Sequence, residues 1–224
     1  MDIPEIKIKV IEHRAEVKKC PKCRRKNTGK FPDGITNSVQ YGEKIKAVSV
    51  YLTQYQLIPY KRGSELIFDM FGISLSQGTM VNFNDYCHEN LKNVEDNIKN
   101  SIINFKGAVH FDETGISIDK KRHWLHVASN DRYTYYKAHE KRGKEAVDDI
   151  NILSNFTGTA VHDCWKTYHQ YSNCDHALCN AHILRELNGI YELEEQKWAE
   201  PMKNLLIEIK KEVDLYWNTA NALT

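Results

Sequence analysis

No run of apolar residues approaches the roughly 18–20 needed to span a bilayer. The N-terminus, Met1-Asp2-Ile3-Pro4-Glu5, lacks the succession of charged, apolar and small residues that marks a secretory signal. A membrane-embedded or exported protein is therefore not expected. Cysteine is sparse: six residues do not form a disulfide-dense framework, so a reducing cytosol is the natural setting. Charge of one sign is also missing overall. The net of +1 points neither toward nor away from a polyanionic partner. Its distribution is uneven, however. Residues 1–30 carry ten Lys/Arg against four Asp/Glu, a net of +6, and the remainder carries −5. The front end could touch nucleic acid, whereas the body gains no electrostatic help overall.

What is present suffices for a real core: 224 residues, 41% hydrophobic, with room for one or two domains. Four segments are expected. Residues 1–38 are polar and basic. Ile6, Ile8 and Val10 suggest a short strand there, and Lys19-Cys20-Pro21-Lys22-Cys23-Arg24-Arg25-Lys26 forms a Cys-x-x-Cys knuckle. One such pair is half of a tetrahedral zinc site, so Cys20 and Cys23 are expected to bind Zn²⁺ weakly or not at all; His13 is the nearest additional donor. Residues 39–105 read as helical. Ile45, Val48, Leu52 and Tyr55 recur at helical steps, a short helix runs from Ser64 to Phe71 with Gly72 as its stop, and Ser76 caps a long helix. The short and long helices resemble a helix-turn-helix, although the face carrying Asp85, His88, Glu89 and Lys92 is not basic.

Residues 106–182 change period. Strands are predicted at 108–118, 123–129, 133–138 and 158–163, with a fifth possible at 177–179 and a helix over 142–150. The first three should form an antiparallel meander, with 158–163 parallel beside the first. Residues 183–224 return to helix. One stripe is Ile183, Leu184, Leu187 and Ile190; the other is Trp198, Met202, Leu205, Ile209, Val213 and Tyr216.

Two predicted strands each deliver one aspartate, Asp112 and Asp163. A carboxylate on a buried strand is costly unless compensated, and a divalent cation shared by the two would compensate both. The bland alternative pairs each with a nearby cation. Phosphoryl transfer on nucleic acid commonly uses two divalent ions about 4 Å apart held by carboxylates, and Mg²⁺ or Mn²⁺ favours oxygen ligands. Glu113, next in sequence to Asp112, should face the other way, while His110 shares Asp112's face. Cys174, His176, Cys179 and His182 form a second group of potential zinc donors, but their spacing fits no common finger.

Phe111-Asp112-Glu113-Thr114-Gly115, Arg122–Ser129, Lys141-Arg142-Gly143, Val161–Lys166 and His176–Leu187 resemble the central domain of transposases of the insertion sequence 66 family, and Val39–Gly42 and Tyr55–Tyr60 resemble the segment before it. The resemblance spans nearly the whole chain. It implies an α/β, ribonuclease-H-like core (a mixed sheet with flanking helices) over 106–182, following a helical segment and leading into a helical insertion. It further implies an Asp-Asp-Glu metal triad in which Asp112 and Asp163 match the two aspartates. Transposon-end and target DNA, Mg²⁺ or Mn²⁺, a homo-oligomer assembled on DNA and a bacterial cytoplasmic, nucleoid-associated location come with it. Two departures set further expectations. The family's upstream Cys pair is not found, which leaves the zinc site incomplete. The family's third acid belongs to a later motif than Glu186, Glu192 or Glu208, so this chain is expected to be a transposase fragment that does not transpose alone. A non-catalytic DNA-binding or assembly remnant is the alternative, and a Holliday-junction-type nuclease fits the acids but not the motif set.

Overall fold

The computed structural model describes Asp2 and residues 7–221, with residues 217–221 as backbone only. Two compact units divide at Lys92 and Asn93.

The first unit opens with a small hairpin, β1 (Val17–Lys19) antiparallel to β2 (Lys26–Thr28). The strand expected around Ile6–Val10 is not formed at Ile8 and Val10, and Ile6 lies outside the described residues. Ile8 and Val10 are exposed, so no buried face rewards their alternation. Helices follow: α1 (Glu43–Val50), extended by a π-helical turn at Tyr51–Tyr55, then α2 (Tyr60–Phe71) and α3 (Gln77–Ile103), whose residues from Asn93 on belong to the second unit. Helix α2 starts four residues earlier than the sequence suggests, directly after Pro59. It ends where expected, at Gly72, whose φ of 67° is the left-handed value that glycine adopts without strain. At the start of α3 the Ser76 hydroxyl accepts the Thr79 N–H at 3.0 Å, the expected cap. Ile67, Leu75, Met80 and Phe83 form this unit's core. Asn84 ties the helices together by donating to Tyr60 and accepting from Thr53.

The second unit is organised on a five-stranded sheet. Its strands are β3 (Ala108–Ile118), β4 (Lys121–Ser129), β5 (Thr134–His139), β6 (Thr159–His162) and β7 (Asp175–Leu178), in spatial order β5-β4-β3-β6-β7. The first three form the expected antiparallel meander, and β6 and β7 continue the sheet in parallel. This order and these directions are those of a ribonuclease-H-like sheet. Asp119 and Lys120 both take positive φ, giving a two-residue turn tight enough to extend β4 back to Lys121. At the next turn the Asn130 side chain accepts the Arg132 and Tyr133 N–H groups.

Helix α4 (Lys144–Ile150) and the last turns of α3 supply Val147, Ile98 and Ile102 to a core with Val109, Phe111, Ala128, Phe156 and Ala160. Gly158 fixes how closely β6 enters the sheet. A Cβ there would lie 2.6 Å from the Gly107 carbonyl oxygen and 3.0 Å from that of Phe105, so any side chain would push β6 away from β3. After β7 come α5 (Asn180–Leu193) and α6 (Ala199–Asn221), linked by a Lys203–Asn188 hydrogen bond of 2.9 Å. The stripe Trp198, Met202, Leu205, Ile209, Val213 and Tyr216 is exposed.

Candidate metal centre at the ends of two parallel strands

Along β3, Val109 and Phe111 point into the core while His110 and Asp112 point out. Hydrophobic alternation thus sets the face on which the aspartate stands. The parallel ladder pairs Ala108 with Thr159, Val109 with Ala160 and His110 with Val161. The same register carried two residues further brings Asp163 level with Asp112. Asp163 is the first residue after β6 and is half-buried; Asp112 is exposed. In each carboxylate Oδ1 accepts a nearby backbone N–H at 2.9 Å, from Glu113 for Asp112 and from Trp165 for Asp163. These bonds orient the groups and leave Oδ2 of each without a protein partner among the described residues. No lysine or arginine among them pairs with either acid, so the expected alternative of local ion pairs is not seen. Two oriented carboxylates with uncommitted oxygens are a donor set that suits a hard divalent ion.

Glu113 faces away from Asp112, as the alternation requires, but its surroundings were not legible in the sequence. Its side chain is only 2% exposed and its Oε1 accepts from Nε and an Nη of Arg142, each at 2.8 Å. The Tyr168 hydroxyl donates to its other oxygen. The Arg142 guanidinium lies 4.8 Å from the Trp124 ring and 4.4 Å from the Trp165 ring, so the cation is stacked as well as paired. Burial raises the Tyr168 pKa well above its ordinary value, and Glu113, Asp163 and Asp112 raise it further. Tyr168 therefore stays a protonated donor beside both aspartates. Identical flanking chemistry on a loop would look unremarkable in sequence; only the sheet brings Lys141-Arg142-Gly143 to Glu113.

The loop carrying Arg142 is pinned by two histidines. His126 Nε2 donates to the Lys141 carbonyl at 3.2 Å, and the Lys141 N–H donates to His139 Nδ1 at 2.9 Å. His126 is buried, and desolvation lowers its pKa from the ordinary 6.5, outweighing the opposing Lys141 bond and Glu113 charge. It is neutral when folded, whereas the unfolded chain takes up a proton near pH 6.5. Its contribution to stability is thus fully present above that pH and is lost as pH falls from 6.5 toward the depressed value. We expect the urea midpoint to drop between pH 7 and pH 5, with a slope from this group of at most about 1.4 kcal/mol per pH unit. His126→Gln should flatten the profile, and an unchanged profile would remove His126 as a cause.

Cys20 and Cys23 lie where β1 turns into β2 and are separate thiols. The Cys23 and Lys22 backbone N–H groups lower the Cys20 pKa, which readies a thiolate for a soft metal. Two thiolates still leave the tetrahedron half open. Zinc at this knuckle should be lost to a mild chelator; retention would show that other donors complete it. The group Cys174, His176, Cys179 and His182 does not converge. The only set of three or more potential ligands brought together among the described residues is His162, His169 and His176. Cys179 instead donates its backbone N–H to the His162 carbonyl, and His182 buries its Nδ1 without a partner among the described residues.

The sheet order and the α/β layers define a ribonuclease-H-like protein. Comparison with protein-family models matches residues 38–222 to the family described as "Transposase IS66 family". The chain belongs to the IS66 family of transposases, whose domain is of the Asp-Asp-Glu type. Transposases of this type generally use divalent metal ions, bind DNA and assemble as oligomers. No curated protein matches the chain. Among solved structures, it is similar to the HTLV-2 integrase catalytic core domain in complex with magnesium in a dimeric form, at 13% identity over 40% of this chain and 73% of that one, with a TM-score of 0.28. The trimeric form of that domain matches at 12% identity over 44% and 80%, with a TM-score of 0.28. The simian T-cell lymphotropic virus intasome in complex with PP2A regulatory subunit B56 gamma matches at 9% identity over 69% and 66%, with a TM-score of 0.27. No described helix is long and apolar enough to cross a membrane.

Proposed function

We propose that the second unit is the catalytic core for cleaving and joining transposon DNA, with Asp112 and Asp163 as two of its three metal-binding carboxylates. The observation that supports this is the register of β3 and β6, which, carried two residues past its last pair, brings two acids without cation partners level with each other. Mg²⁺ or Mn²⁺ bound there would polarise the scissile phosphate and activate a water or 3′-hydroxyl. The chain's own residues do the positioning. Backbone N–H groups fix one oxygen of each aspartate, and Trp165 and Tyr168 hold the loop that follows Asp163. The Arg142–Glu113 pair anchors that loop from the core side through Tyr168.

Glu186, Glu192 and Glu208 are all exposed on α5 and α6. We assign none of them as the third carboxylate. On this reading the 224-residue protein binds metal and DNA but does not join strands by itself. The site is tested by Mn²⁺ titration of the protein and of Asp112→Ala and Asp163→Ala; binding that survives both substitutions would overturn it.

Transposon-end DNA is held through phosphate contacts of the first hairpin. Lys18, Lys19 and Lys26 stand on β1 and β2, and Arg24 and Arg25 on the turn between them, all exposed. Log affinity should fall linearly with log salt, at a slope of about −0.9 per phosphate neutralised. Replacing all five cations with alanine should remove most of the affinity and flatten the slope. Unchanged binding would move the DNA surface elsewhere, first to α3.

A further inference from the structure

We infer that His162, His169 and His176 form a second metal site, chemically distinct from the aspartate pair, that takes a borderline transition-metal ion such as Zn²⁺. It is held within the second unit between the end of β6, the turn at Tyr168–Gln170 and β7.

The hydrogen bonds of two of the rings carry this inference. His162 Nδ1 lies against the backbone carbonyl of Asp163, so Nδ1 carries a hydrogen and Nε2 presents its lone pair. His176 Nε2 lies 2.7 Å from the carbonyl of Tyr171, so Nε2 carries the hydrogen and Nδ1 presents its lone pair. Those two lone-pair nitrogens, His162 Nε2 and His176 Nδ1, are 2.8 Å apart. Neither ring can turn its N–H toward the other without setting a lone pair against a carbonyl oxygen. With one hydrogen on each ring the two lone pairs face each other, and either a metal ion or a shared proton between them relieves the repulsion.

An N–H donated to a backbone carbonyl, with the other nitrogen aimed at a common point, is the arrangement that orients metal-bound histidine. A shared proton would need two rings, but here a third converges. His169 packs edge-on to His162 at 4.9 Å and tilted to His176 at 5.4 Å, and one nitrogen from each ring lies within 4.8 Å of the others. Nitrogens across a tetrahedral zinc ion are about 3.4 Å apart, as Zn–N bonds of ~2.0–2.1 Å require. The close pair thus opens by roughly half an ångström and His169 swings inward. Cys174 Sγ lies 3.9 Å from His176 Nε2, the nitrogen already committed to Tyr171, and is not part of the set. Three imidazoles and no carboxylate favour Zn²⁺ over Mg²⁺. His169 is exposed, so the fourth position is open to water. Such an ion would clamp both sides of the segment that follows Asp163.

The test uses the full chain with Cys20→Ser and Cys23→Ser, so that the knuckle cannot contribute. Isothermal titration with Zn²⁺ alone should give about one ion per chain. His169→Ala, at an exposed position that leaves the fold intact by circular dichroism, should weaken binding at least about 100-fold, because loss of a ligand should match or exceed the 10–100-fold typical for an outer partner. Asp112→Asn should leave it unchanged. The Co²⁺ form should show d–d bands without a thiolate charge-transfer band. Zinc that disappears with the Cys20/Cys23 substitutions, survives His169→Ala, or brings a thiolate band would overturn the assignment. No binding at all would mean that the two close imidazoles share a proton instead. Because the readout is zinc stoichiometry, failure here is separate from failure of the Mn²⁺ site at Asp112 and Asp163.

Discussion

Purified 224-residue protein is expected to bind Mn²⁺ through Asp112 and Asp163 and yet to leave pre-cleaved transposon ends unjoined, with either alanine substitution removing the ion. Asp112 stands on β3 and Asp163 directly follows the parallel strand β6, level with it when the register is carried two residues on, and neither pairs with a described cation. One hard ion can therefore be shared between them with water completing its shell. Removing either acid should raise the dissociation constant at least about 100-fold, since even outer partners of metal ligands are worth 10–100-fold. Strand joining asks for more. A second divalent ion would supply stabilisation of the leaving oxygen, and holding it would take a further carboxylate beside Asp112 and Asp163. Among the described residues no glutamate is brought together with Asp112 and Asp163 as a group of three potential ligands, and Glu186, Glu192 and Glu208 are not assigned to that position. Loss of several kcal/mol of transition-state stabilisation suppresses a rate by three orders of magnitude or more, about one order for each 1.4 kcal/mol. Joining of pre-cleaved ends in Mn²⁺ that Asp112→Ala abolishes would overturn this, and would mean that a glutamate within the chain completes the triad.

The strands that position the two aspartates were legible because strand periodicity is a local signal. Val109 and Phe111 against His110 and Asp112 set β3 and its outward face, and Thr159–His162 is short, apolar and bounded by Gly158. What sequence cannot carry is pairing between distant segments. Arg142 sits 29 residues from Glu113 and Tyr168 sits 55 away, and no periodicity links them. The histidines fail differently. His162, His169 and His176 recur every seven residues, but a strand, a turn and another strand intervene, so no helix or finger template applies. The group Cys174, His176, Cys179 and His182, whose spacing fits no common finger, runs from just before β7 into the start of α5, and the change of element splays it apart. At the front, alternation at Ile8 and Val10 mimicked a strand with no partner to cover it.

Arg142→Ala is expected to destabilise the second unit by about 3 kcal/mol, the lower end of the range for breaking a buried ion pair, because Arg142 itself is 40% exposed. The cost falls on Glu113. Its side chain is 2% exposed and would keep only the Tyr168 hydroxyl as a partner, so most of the effect is a stranded carboxylate rather than a lost attraction. Stacking against Trp124 and Trp165 would go as well. At roughly 2–4 °C per kcal/mol for a chain of this size, the melting temperature should fall by about 6–12 °C. Intrinsic fluorescence reports the event directly, since both tryptophans touch the guanidinium. The origin of the cost can be separated with a second change. Glu113→Gln in the Arg142→Ala background removes the unpaired charge while keeping an acceptor for Tyr168, and should restore about half of the loss. If the double variant is no more stable than Arg142→Ala alone, the stranded charge is not the cause, and the stacking between the two indole rings holds the loop instead.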